Sequence, residues 1–200
     1  DGQRVRDPRG MAAAALSYAA TLAPGTRAEF VLTLPLHPDM PLPGPSDDPL
    51  VWASAQQAAA ERDWRERLGG FTLELPPSAA RIAETFRAQL GYILVNRDGP
   101  RIQPGSRAYA RSWIRDGSLT ASALLRVGLA APATDFLRWY APHQYANGKI
   151  PCVVDRRGAD PVPEHDSSGE FIFLVAEYYR YTRDRALAGG AAEAAQRDGR

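Results

Sequence analysis

The chain has a single cysteine in its 200 residues, so no intramolecular disulfide can brace it. That residue, Cys152, lies in the apolar run Lys149-Ile150-Pro151-Cys152-Val153-Val154, where a free thiol behaves as a small buried hydrophobe. No apolar stretch approaches the ~20 residues that a membrane helix needs. The start, Asp1-Gly2-Gln3-Arg4-Val5-Arg6-Asp7, lacks the apolar core of a signal peptide. Charge of one sign is missing too. Lys and Arg total 24 against 23 Asp and Glu, which removes the field that would draw the chain to nucleic acid or anionic lipid. There is no G-x-G-x-x-G, P-loop or G-x-S-x-G, and this excludes support for a nucleotide enzyme or a serine hydrolase. No C-x-x-C or H-E-x-x-H spacing marks a metal site, no internal repeat occurs, and no cofactor is expected. The chain has no initiator Met and ends in Gln196-Arg197-Asp198-Gly199-Arg200, so we read it as a piece of a longer protein. The remainder of that parent chain is then an expected partner, and the compartment stays open.

What is present is a mainly helical pattern with a β-rich start. Ala14–Thr21 and Arg27–Leu36 read as two strands around the turn Ala23-Pro24-Gly25, with Phe30, Leu32 and Leu34 on one face of the second. Two strands alone are marginal in water. Residues 39–77 read as a linker: five prolines between His37 and Pro49, a helix over Val51–Leu68 stopped by Gly69-Gly70, then a short strand Phe71–Leu75. From Ser78 the pattern turns to helices of 12–18 residues in consecutive pairs. The first runs to about Val95, with Ile82, Phe86, Leu90 and Ile93/Leu94 along one stripe. The second runs over Asp116–Val127 and is stopped by Gly128. The third begins at Pro132 with Phe136, Leu137 and Tyr140 inward, and the fourth runs from Ser167 or Ser168 to Tyr181. Ala186–Gln196, interrupted by Gly189-Gly190, reads as a poor helix. Long polar loops between these pairs fit helical hairpins.

The densest chemistry lies in Arg107-Ala108-Tyr109-Ala110-Arg111-Ser112-Trp113-Ile114-Arg115-Asp116-Gly117. Arg115 and Asp116 can hydrogen-bond to hydroxyls through charge-assisted bonds, and Trp113 or Tyr109 can stack on the apolar face of a sugar. The plainer alternative is a local Arg115–Asp116 ion pair at a helix N-terminus, where Asp is favoured anyway. Pro163-Glu164-His165-Asp166-Ser167-Ser168-Gly169-Glu170 is the second acidic stretch, with Asp155 and Asp160 behind it. Glu164 and Asp166 are either substrate ligands or caps of the helix that follows, and His165 between them favours a functional role. They are also the weak candidates for catalytic carboxyls. His37 and His143 read as structural, His143 at a helix end where positive charge is favourable.

Tyr109-x-Arg111-x-Trp113-x-Arg115-Asp116-Gly117 resembles the Trp-x-Arg-Asp signature at the first barrel helix of glucoamylase-like six-hairpin glycosidases. The segment Pro163–Ile172, followed by Ala176-Glu177-Tyr178-Tyr179-Arg180-Tyr181-Thr182-Arg183-Asp184, is similar to the entry of an acidic loop into the fourth barrel helix of that family. There the helix commonly closes on Thr-Gly-Asp, whereas Arg183 stands at the glycine position here. The likeness spans roughly Ser78 to Leu187.

The resemblance implies a partial (α/α)6 toroid of helical hairpins over 78–200, truncated. Residues 1–38 would be the end of an N-terminal β-sandwich, with 39–77 a linker carrying the connecting helix. It implies a glycoside hydrolase acting on α-linked glucosides or oligosaccharides by inverting acid/base hydrolysis. The substrate-binding set would be Tyr109, Arg111, Trp113, Arg115, Asp116, Glu164, His165 and Asp166, with Arg115 and Asp116 gripping the sugar at the nonreducing end. The acid and base would come from later hairpins that this chain does not contain, and the fragment alone would be inactive. Two alternatives remain: a non-catalytic carbohydrate-binding or scaffold module, and a glycoside phosphorylase on the same fold.

Overall fold

Glycine and burial set the helix boundaries in the computed structural model, which describes residues 6–11, 13–35 and 39–196, with side chains as far as 191. His37 and the end of the second expected strand, Leu36, lie outside the described residues. The chain divides into two compact units, residues 1–60 and 61–200.

In the first unit, the turn forms where Pro24-Gly25 places it: Gly25 takes φ +79° and Thr26 N–H donates to Ala23 O at 3.1 Å. Tyr18 and Phe30 meet across the turn with ring centroids 4.9 Å apart. The flanking segments nevertheless carry no strand ladder among the described residues, contrary to the sequence expectation. Leu16, Phe30, Leu32 and Leu34 stay exposed, so pairing of the two segments would gain too little apolar burial. The helix α1, Pro49–Leu68, crosses the boundary of the units and buries none of its residues.

The second unit is mainly helical. Phe71–Leu75, expected as a strand, is irregular. After a 3-10 turn at Pro77–Ala79, α2 covers Ala80–Val95. Its inward residues are Ala83 and Leu90, seven apart, with Leu90 3% exposed. Ile82 and Phe86 face outward, at 64% and 40% exposed, so the expected stripe holds at Leu90, Ile93 and Leu94 and fails in the first half of the helix. Four helices follow: α3 Ile114–Arg126, α4 Ala130–Tyr140, α5 Ser167–Thr182 and α6 Arg185–Gln196, the last running straight through Gly189-Gly190. Gly128, at φ +80°, makes the corner between α3 and α4.

One core joins Ile114, Leu124 and Leu125 of α3 to Phe136, Leu137 and Tyr140 of α4, and these to Phe171, Leu174 and Tyr178 of α5. Each such side chain contributes about 1.5–3 kcal/mol when fully buried, so packing rather than propensity holds the helices in place. The one buried phenol in α4 is satisfied, since Tyr140 OH donates to Pro151 O at 2.9 Å. Burial also pushes its pKa up.

A three-stranded antiparallel sheet, order β1-β2-β3, joins the loops before α3 and α5: β1 Ser112–Trp113, β2 Val153–Asp155 and β3 Gly158–Ala159. Ser112 pairs with Val154 and Trp113 with Val153; Asp155 pairs with Gly158 around a two-residue turn. Gly158 takes φ +105°, a conformation that side chains rarely adopt.

Candidate functional site

The sheet decides where the charged residues go. With Ser112 opposite Val154, Arg111 falls opposite Asp155 in the same register. Its Nε donates to Asp155 at 2.9 Å and its Nη2 to Asp160 at 2.7 Å. Both bonds raise the Arg111 pKa, the one to Asp160 most. Asp155 also accepts from Arg157 at 2.7 Å, and that contact, with help from Arg111, holds its carboxyl well below the usual range. Asp160 is depressed mainly by Arg111. The guanidinium of Arg111 further lies 5.5 Å from the Trp113 ring. Arg111 thus ties the β2–β3 hairpin to the approach of α3.

One turn onward, Ile114 N–H donates to Cys152 O at 3.0 Å and α3 begins. Arg115, its second residue, reaches across to the loop ahead of α5. Its Nε donates to Asp166 at 2.7 Å and its Nη2 to Glu164 at 2.9 Å. The bond to Asp166 is the largest cause of its raised pKa. The local Arg115–Asp116 ion pair does not form, because adjacent residues on a helix do not face each other. Capping of α5 by these carboxylates does not occur either. Asp166 stands at the cap position, yet its side chain makes no cap bond, since the guanidinium offers the stronger, charge-assisted partner. No serine caps the helix either: Ser167 is the first residue of α5, and its buried Oγ has no partner.

Asp116 is half-buried and its carboxylate makes no hydrogen bond or ion pair among the described residues; its backbone carbonyl accepts from Thr120 Oγ1. Tyr109 closes a 3-10 turn, Arg107–Tyr109, whose first residue is at φ +59°. Its ring is exposed and sits 6.2 Å from that of Trp113, giving two tilted aromatic faces beside the charges. Glu164 and His165 form one wall of a cleft of about 440 Å³, with Tyr145, Lys149, Pro163 and Ser168 around it. Tyr145 OH, donating to Asp160 O at 2.5 Å, braces that wall.

All eight sequence-selected residues therefore lie on the two loops and helix starts that the sheet ties together. Two residues that the sequence did not single out join them. Ser118 Oγ, fully buried, donates to Glu170 of α5 at 2.6 Å and contacts Arg115 O at 3.0 Å. Deeper in the interface, Glu177 accepts from Ser122 at 2.9 Å, Arg126 at 3.1 Å and Arg180 at 2.8 Å. The contacts Arg115–Asp166, Ser118–Glu170 and Ser122–Glu177 ascend both helices together, so α3 and α5 run parallel, with α4 as the return.

His143 packs against Trp139, ring centroids 5.2 Å apart, and burial lowers its pKa. Cys152 is buried, its pKa raised by burial, and its Sγ contacts Val162 O at 3.1 Å. Among the described residues no group of three His, Cys, Asp or Glu side chains could hold a metal ion. No described helix is long and apolar enough to cross a membrane. Compared with protein-family models, curated proteins and solved structures, the chain gives no match.

Proposed function

We propose that this chain carries the sugar-gripping mouth of a glycoside-active enzyme of glucoamylase-like type, on the first hairpins of an (α/α)6 toroid. The observation that carries the reading is the convergence of Arg115, Glu164 and Asp166 beside Asp116, whose carboxylate makes no hydrogen bond among the described residues, at the shared N-terminal ends of α3 and α5. Such a set offers fixed donors and acceptors for hydroxyls, and Trp113 and Tyr109 add flat faces for the apolar side of a pyranose. Parallel α3 and α5 joined by an antiparallel α4 also supports the toroid, in which alternate helices share a direction.

In this reading the chain contributes binding rather than proton transfer. Glu164 and Asp166 lie 2.9 Å and 2.6 Å from the same Arg115 nitrogen. Their facing oxygens are thus closer than the ~6.5–9.5 Å that leaves room for an attacking water in an inverting pair. Groups outside the chain would supply the acid and base. Isothermal titration of the purified chain with maltotriose, alongside a hydrolysis assay, tests the proposal. Saturable binding without turnover is expected. Failure to bind maltotriose or any neutral oligosaccharide, or turnover that survives loss of Arg115 and Asp116, would overturn it.

A further inference from the structure

The first turn of α3 is weakly specified by its own sequence. Its cap residue, Trp113, makes no side-chain cap bond, and the turn contains Gly117, a poor helix former. Yet this turn carries Arg115 and Asp116, whose aim decides whether the mouth exists. Besides the bonds of the Arg115 side chain and the packing of Gly117 on Phe136, two hydrogen-bonded contacts hold it from outside. One is the bond from Ile114 N–H to Cys152 O, which fixes the entry from the sheet. The other closes the end of the turn: the fully buried Ser118 hydroxyl lies 2.6 Å from Glu170 and 3.0 Å from the Arg115 carbonyl. A hydroxyl donating to a carboxylate at that length is in the charge-assisted class. Asp166, the cap residue of α5, and Glu170 are four apart, so they share a face, and Arg115 and Ser118 share the facing side of α3. Glu170 therefore acts one turn below the Arg115–Asp166 contact, on the carbonyl end of the residue that makes it.

We propose that Glu170 is a positioning residue of the mouth: through Ser118 it fixes the first turn of α3 and so the direction in which Arg115 and Asp116 point. The inference rests on the reading of the mouth as a sugar site, but one of its consequences is independent of any sugar. Replacing Glu170 by Gln keeps size and shape and removes the charge, so the Ser118 bond weakens while the packing stays.

The test uses two measurements on the same proteins. The Nε–H resonance of Arg115, assigned by comparison with Arg115→Lys, reports its hydrogen bonding without ligand; titration with maltotriose reports grip. Glu170→Gln is expected to shift that resonance and to weaken maltotriose binding about 3- to 10-fold, with circular dichroism unchanged. Ser118→Ala is expected to do the same, and the double variant to be no worse than the stronger single one, since both act through one contact. Additive effects, or an unmoved Arg115 resonance in Glu170→Gln, would overturn the assignment. If the wild-type chain binds no maltotriose, the sugar reading fails, and the resonance of the two variants still decides the positioning role. If Glu170→Gln proves poorly folded, Ser118→Ala alone carries the decision on the resonance.

Discussion

Gly117 of α3 lies so close to Phe136 of α4 that a Cβ at Gly117 would stand 2.1 Å from the tip of the ring. The Phe136 ring is fully buried and contacts Tyr140, centroids 5.3 Å apart, so it has nowhere to retreat. Gly117→Ala would gain about 1 kcal/mol of helix propensity. Overpacking of a rigid core costs typically 1–3 kcal/mol, and a contact this short places the cost at the upper end. Thermal unfolding should show a fall of several degrees in Tm. A Tm equal to or above wild type would mean that α3 and α4 can separate freely.

The acid branch of stability should depend on Arg111. Asp155 and Asp160 have folded-state pKa values below the ordinary carboxylate value. Their stabilising contribution is therefore complete above about pH 4 and is lost as pH falls through the folded values. Arg111→Gln removes the main cause of the Asp160 shift, whereas Asp155 keeps Arg157. The variant should melt below wild type at pH 7, and the gap should close as pH falls below about 4. Parallel Tm curves from pH 7 to pH 2 would contradict this.

Arg183 ends α5 in the left-handed conformation, φ 59° and ψ 14°. That region costs an L-residue roughly 1–2 kcal/mol, offset in part by the guanidinium lying 5.7 Å from the Tyr179 ring, about 0.5–1 kcal/mol when exposed. We expect stability in the order Arg183→Gly above wild type by up to ~1 kcal/mol, and Arg183→Val below it, because a β-branched residue tolerates this region least. Denaturant melts of the three proteins give the order directly.

Much of the helical frame was legible in the sequence, because α3, α4 and α5 bury apolar residues at helical spacing and the first two stop at Gly128 and Pro142. Phe136, Leu137 and Tyr140 are inward as their period implies. The reading failed where a single sequence carries no signal. Ser112–Trp113 is too short to alternate, yet its pairing with β2 sets the register that brings Arg111 to Asp155. On α2, Phe86 is larger than Ala83, but Ala83 is the residue packed inward, since size does not fix which face is covered. The charged residues of the two loops stand out by their chemistry, but which of them pair, Arg111 with Asp155 and Asp160 or Arg115 with Glu164 and Asp166, does not. Ser118 and Glu170 are 52 residues apart, and nothing local to either marks the contact.

Asp116 gives the sharpest test of function. Its carboxylate makes no hydrogen bond or ion pair within the described chain, so Asp116→Asn should leave the fold intact. A charge-assisted bond to a sugar hydroxyl is worth roughly 1.5–3 kcal/mol, which predicts about a 10- to 150-fold weaker Kd for maltotriose at 1.4 kcal/mol per decade. Measuring Tm and Kd on the same variant separates the cases. A lower Tm with unchanged Kd would end the sugar-binding role of this residue.

The three donors around Glu177 have a consequence for how the helices find each other. Parallel apolar helices can slide by one turn, about 5.4 Å, with little loss of hydrophobic contact. Here such a slip would carry the Glu177 carboxylate, 5% exposed, away from Ser122 and Arg126 on α3. Arg180, on α5 itself, would stay with it, but the buried carboxylate would lose two of its three donors, and that loss is unfavourable. Misaligned pairings of α3 and α5 are therefore disfavoured relative to the one that sets Arg115 opposite Asp166.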